Sequence, residues 1–252
     1  MKQKTLKNRL YLSGMDSAAP DLARKNGLGL EVTRFSWAPM LDDAESVDIV
    51  KNQMRGIDRF WLHAPFAELC PCAIDPKVRQ VTKERYLQTI NMALLLGIEC
   101  IVIHGGYIPM VYYPEWFVGQ SVAFWREFMK SVPQGVTIAL ENVMDPSPDM
   151  LVDIVQQVDN PQLGLCLDVG HAHTIVSTTP PEEWIASMAP WLKHVHLHNN
   201  IGDRDLHLPL NEGTIDMASL LDALLETEAT FTIENQNCAP SLDWLYERGY
   251  LE

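Results

Sequence analysis

The sequence has no apolar run long enough to cross a bilayer, no framework of paired cysteines, no G-x-G-x-x-G turn and little positive charge. Its most apolar stretch, residues 92–103, is interrupted by Gly97 and Glu99 and falls short of the roughly 20 residues that a spanning helix needs. The basic start MKQKTLKNRL leads into no apolar segment of the kind a secretory leader carries, so the protein is expected in the cytoplasm, away from membranes. Five irregularly placed cysteines read as reduced thiols, and Cys70-Pro71-Cys72, with no second pair, reads as a chance pairing in a loop. The 19 basic residues against 33 acidic ones give a formal charge of -14, which argues against a chain that must neutralise a long row of phosphates. After the first apolar run stands Ser13-Gly14-Met15-Asp16 rather than a phosphate-binding glycine turn, so an open doubly wound sheet ranks second as a fold.

A regular alternation is present instead. Short apolar or β-branched runs occur at residues 9–13, 28–33, 59–63, 100–104, 137–141, 163–168, 194–198 and 230–234. Longer amphipathic segments lie between them, with helix starts such as Asp75-Pro76 before residues 78–96 and Ser147-Pro148 before residues 150–158. Pro114-Glu115 opens a helix over 116–129, and Thr214 opens one over 217–225. Eight strands separated by helices call for a parallel sheet, and eight is the number that closes. The fold class is therefore α/β, a single (β/α)8 TIM barrel domain spanning 1–252, with no linker and no second domain.

Side chains alternate between the two faces of a strand, so each run divides into two sets. One set is large and aliphatic (Leu163, Leu165 and Leu167; Ile138 and Leu140; Ile101 and Ile103) and suits the face covered by helices. The opposite set ends in His63, His104, Glu141, Asp168, His196 with His198, and Glu234 on six consecutive runs. Charge facing a barrel interior is costly unless paired or bound to metal, and barrel active sites form at this end of the strands. Two clusters extend the set: Asp168-Val169-Gly170-His171-Ala172-His173, where a helix should begin, and Asp203-Arg204-Asp205-Leu206-His207. Imidazole together with carboxylate suits a transition-type divalent ion better than calcium.

The strings LHAPF, IHGG, ALENV, LCLDVGHAH, HVHLHN, DLHLPLNEGTID and TIEN, spread over about residues 28–235, resemble the xylose isomerase-like barrels in order and spacing. That group contains sugar or sugar-phosphate isomerases and epimerases, and the endonuclease IV type of apurinic-site nuclease. Similarity to the first class implies metal ligands Glu141, Asp168, His196 and Glu234. It also implies proton transfer by Glu141 and Glu234 through an enediolate, with His171 orienting the substrate. Similarity to the second implies a three-zinc set of His63, His104, Glu141, Asp168, His171, His196, Asp205, His207 and Glu234, all present here.

Loop composition puts the isomerase first and the zinc phosphodiesterase second. Residues 34–43 offer one Arg against two Asp, and residues 65–77 hold no base before Lys77, so no DNA-gripping surface is expected. The uncharged aromatic segment 107–117, apart from Glu115, reads as a wall over a small ligand or a contact between copies in a homo-oligomer. The expected cofactor is a divalent metal (Zn, Mn, Mg or Co), with no organic cofactor. The expected partner is a small sugar or sugar phosphate rather than nucleic acid. Asn142, Asn199 and Gln236 are placed to meet substrate hydroxyls, and His198, Arg34 and Arg204 to meet a phosphate.

Overall fold

The computed structural model describes residues 6–252; residues 1–5, which include part of the basic start and of the expected 1–252 domain span, lie outside the described residues. Strands β1 (Leu10–Ser13), β2 (Gly29–Val32), β3 (Phe60–His63), β4 (Cys100–His104), β5 (Thr137–Glu141), β6 (Leu163–Asp168), β7 (Leu192–Leu197) and β8 (Thr230–Ile233) follow one another in a closed parallel barrel. The ring closes where Tyr11 of β1 pairs with Thr232 of β8. Helices α1 (Ala19–Asn26), α2 (Ala44–Met54), α3 (Pro76–Leu96), α4 (Pro114–Phe128), α5 (Asp149–Val158), α6 (Pro181–Met188), α7 (Met217–Leu224) and α8 (Ala239–Glu247) complete the (β/α)8 plan. None among the described residues is long and apolar enough to cross a membrane.

The alternating pattern is what sorts the two layers. Leu62, Ile101, Ile103, Ile138, Leu140, Leu165, Leu167, Val195, Phe231 and Ile233 are buried in one large cluster with the helices. Tyr11, Trp61, Val102, Ala139 and Cys166 form a second, small cluster, which plugs the barrel interior below the strand ends. Helix ends follow the expected chemistry where it is strongest: the Asp75 carboxylate accepts the Lys77 amide at 2.8 Å, and Gly97 ends α3 at a φ of 71°. The helix expected directly after β6 is delayed. His171–His173 form a single 3-10 turn, and α6 begins only at Pro181 after the stretch Thr174–Pro180. That detour leaves the residues of the HAH string on a loop above the barrel mouth.

Candidate metal centre

Each strand from β3 to β8 delivers a titratable side chain to the same end of the barrel, and these side chains converge. Glu141, Asp168, His196 and Glu234 each bring one ligand atom within 4.8 Å of the others, and His63, His104 and Glu141 do the same. Glu141 belongs to both groups. Its Oε2 faces His63 Nε2 at 3.3 Å and His104 Nε2 at 3.5 Å, while its Oε1 faces His196 Nδ1 at 3.2 Å. Asp205 gathers a third group, with Oδ2 at 2.8 Å from His207 Nε2 and 3.3 Å from His171 Nε2.

The hydrogen bonds behind these groups fix which atoms face one another. Each of His63, His171 and His207 sets Nδ1 at 2.8–2.9 Å from a backbone carbonyl, that of Ala64, Asn142 and Glu234 respectively. A carbonyl only accepts, so Nδ1 carries a hydrogen, and Nε2 is the atom each ring turns towards a carboxylate oxygen, with a proton or a cation between them. His196 is the mirror case: its Nε2 donates to Glu31, leaving Nδ1 towards Glu141 and Glu234, both at 3.2 Å. Four lone pairs facing anions repel unless a proton or a cation lies between, and this tautomer-fixing is how histidine metal ligands are held. Glu141 Oε2, fully buried, has no hydrogen-bond partner of its own. The donor set thus fits divalent cations, and an all-oxygen calcium site is not what it resembles.

Electrostatics point the same way. Burial works against ionised Glu141, Asp168 and Glu31, but the facing imidazoles outweigh it and hold each well below the usual carboxylate range. Burial likewise opposes the His207 and His171 cations, yet Asp205 raises the first to about 9, and Asp168 with Asp205 lifts the second well above its ordinary value. His104 goes the other way, pushed down to about 3 chiefly by burial. Its ring is covered by Phe66, stacked at 4.3 Å. A neutral imidazole poised beside a carboxylate is the protonation state that a metal requires.

Several residues expected to touch substrate hydroxyls or phosphate already have partners within the protein. Both ends of the Asn142 side chain are engaged by the Asp168 backbone, at 3.0 and 2.8 Å, so it positions the end of β6. His198 is fully buried and donates Nε2 to Asp168 Oδ1 at 2.9 Å. Its ring lies so close to Gly170 that a Cβ there would come within 1.9 Å of Cε1, which accounts for the glycine in the LDVGHAH string. The Asn199 amide holds the carbonyls of Leu210 and Ile215. Arg34 donates to Ser46, and Arg204 is 76% exposed beside Asp203.

Glu31, the anchor of His196, is absent from the expected set. It sits in β2, where Leu30 and Val32 face outward, so the same alternation that finds Glu141 also places it inside. Asp145 is a second omission, on the β5–α5 loop, where no periodicity applies. It is buried, one oxygen accepts the Val143 amide at 3.1 Å and the other has no partner. Burial, the leading cause, raises this carboxyl from 3.8 to about 7. The folded chain then binds the proton more tightly than the unfolded one, so this stability is full below pH 3.8 and lost as pH rises to 7. Asp145→Asn is expected to raise stability by up to about 4 kcal/mol at pH 8 and by under about 2 at pH 5, read by denaturant melts at both pH values. An equal gain at both would refute the assignment.

Comparison with known proteins decides the family. The family model described as "Xylose isomerase-like TIM barrel" matches residues 21–248. The chain belongs to this family. Among its xylose isomerase-like relatives, the uncharacterised protein MJ1311 of Methanocaldococcus jannaschii is 32% identical over 203 residues, covering 75% of this chain and 69% of that one. "Probable endonuclease 4" of Ureaplasma parvum is 22% identical over 199 residues, covering 71% and 65%. Among solved barrels, the TTHB071 protein from Thermus thermophilus, in a form soaked with ZnCl2, shares 26% identity at a TM-score of 0.78, over 95% of this chain and 97% of that one. A D-tagatose 3-epimerase-like protein shares the fold at 23% identity and a TM-score of 0.78, over 96% of each chain.

Proposed function

We propose that this protein is a metal-dependent phosphodiesterase whose site holds up to three divalent cations. The observation that carries this is the orientation of His63, His171 and His207, each fixed by a carbonyl with Nε2 towards Glu141 or Asp205. His63 and His104 with Glu141 would hold one ion, the quartet Glu141, Asp168, His196 and Glu234 a second, and His171 with Asp205 and His207 a third. When bound, such ions supply positive charge to phosphoryl oxygens and acidify water to near neutrality. The chain's own part is positional. Glu141 spans two groups and fixes their separation, Asp205 pins the loop after β7 to the loop after β6, and Glu31 orients His196. Phe66 over His104 narrows access of bulk water on that side.

The isomerase reading, first in expectation from the sequence, uses the quartet alone. Glu141 and Glu234 both facing His196 Nδ1 at 3.2 Å is the arrangement that favours it, since enolisation needs a carboxylate beside one ion. With His171 orienting the substrate, it still leaves four groups (His63, His104, Asp205 and His207) without a task, and for that reason stands second.

The test is metal content together with turnover. Protein purified without chelator is expected to carry more than one zinc per chain, with about one fewer in His104→Ala and in Asp205→Ala, and to hydrolyse bis(4-nitrophenyl) phosphate. One ion per chain in all three proteins, with ketose epimerisation and no diester cleavage, would install the isomerase instead.

A further inference from the structure

A pocket of about 580 Å3 opens beside the metal groups, drawn chiefly from the β3–α3 and β4–α4 loops, and shares His104 alone with them. We infer that it is the subsite for an uncharged, apolar ester arm of a small phosphodiester, an assignment that rests on the phosphodiesterase reading. Three observations lead there. The pocket is contiguous with the centre, because His104 and Phe66, stacked on each other at 4.3 Å, line it. A phosphoryl group beside His104 therefore has one ester arm directed past Phe66 into this space.

The lining is apolar yet open to solvent. Ile74, Val111, Met144, Ile108, Phe66 and Val78 all line it and all rank among the exposed large hydrophobic side chains. A contiguous patch of this kind is uncommon on a folded surface unless something covers it, and a concave one is the usual form of a small-molecule site. The walls are also tied together. Trp116 Nε1 donates to the Cys72 carbonyl at 3.0 Å, and the Tyr112 hydroxyl meets Cys70 Sγ at 3.5 Å, so α4 and the β3–α3 loop form one frame. The Cys-x-Cys pair, a chance pairing by sequence, is thereby part of this wall, with its sulfurs buried and 3.3 Å apart.

Charge separates the two sources of a phosphodiester. The titratable lining groups besides His104 are Glu68, Asp75, Cys70, Tyr107 and Tyr112, with no Lys or Arg among them. A nucleic acid would bring further phosphates against those carboxylates, without the cations that usually neutralise them. A neutral hydrocarbon or aryl group meets no such penalty.

Calorimetry with the zinc-loaded protein tests this, using dimethyl, dibutyl and dibenzyl phosphate as probes. Transfer of one methylene from water gives about fourfold in affinity. Dibutyl and dibenzyl phosphate are expected to bind at least tenfold more tightly than dimethyl phosphate. Val111→Asp and Ile74→Asp, both at exposed positions, are expected to bring the three within about threefold of one another. Equal affinities in the wild type, with bis(4-nitrophenyl) phosphate still hydrolysed, would overturn the subsite and leave the phosphodiesterase standing. Absence of any diester hydrolysis by zinc-replete protein would overturn the phosphodiesterase first. Tighter binding and faster cleavage of an abasic duplex than of any small diester would also overturn the subsite. So would a wild-type dimer that Val111→Asp dissociates, since a second copy would then be what covers the patch.

Discussion

Glu141→Gln is expected to lower phosphodiester turnover at least a thousandfold and to remove more than one ion per chain. Among the described residues Glu141 is the one carboxylate shared by two ligand groups, with a separate oxygen presented to each. The amide keeps the shape but gives up the charge, and one end of it would turn an N–H donor towards His63 and His104 or towards His196. A thousandfold is about 4 kcal/mol of transition-state stabilisation, an ordinary share for cation-assisted charge balance. Glu234→Gln, on the rim of one group, is expected to lose less. Steady-state rates and elemental analysis on the same preparations provide the check, with circular dichroism to confirm folding. Turnover within tenfold of wild type would remove Glu141 from the mechanism.

The second large effect concerns stability. Stripping the protein with chelator is expected to lower Tm by about 8–16 °C at pH 7.5. Ions held at roughly a thousandfold above their dissociation constant stabilise by about 4 kcal/mol, and about 2–4 °C accompany each kcal/mol in a chain of this size. Without them, Glu141, Asp168 and Glu234 face one another across a single imidazole, and protons on histidine must compensate. His207, lifted to about 9, shows the cost of that arrangement. Its raised value stabilises the stripped fold fully below the unfolded value of 6.5, and the contribution disappears as pH climbs through 9. The gap between loaded and stripped protein is therefore expected to widen from pH 6.5 to 9, as followed by calorimetric melts. A gap that is absent, or that narrows over this range, would show that cations are not what these groups hold.

Where a residue lies on a strand, the sequence locates it well, because the alternation of two faces is a hard geometric rule. β4, β5 and β6 run over the very residues read as strands, and the other five differ by two residues or fewer at either end. His63, His104, Glu141, Asp168, His196 and Glu234 follow from that rule with no knowledge of contacts. What the rule cannot give is the direction of a loop side chain. Arg204 is the chain neighbour of Asp205 and Asn142 that of Glu141, yet the first points to solvent and the second is consumed by the Asp168 backbone. For Asn142 the deciding partner is the Asp168 backbone on the neighbouring strand, 26 residues away in the chain. The orientations of His171 and His207 are of the same kind: they depend on the carbonyls of Asn142 and Glu234, whose positions only the closed ring fixes.

The barrel assigns its two tasks to different parts of the chain. Reactivity rests largely on strand ends braced by a packed plug of Tyr11, Trp61, Val102, Ala139 and Cys166, whereas the apolar pocket is drawn chiefly from two neighbouring loops. On the proposed reading, such a division would let insertions or exchanges in those loops reshape what is accepted while the ion-holding floor is kept. Divergence among descendants of this barrel should therefore accumulate above His104 far sooner than beneath it.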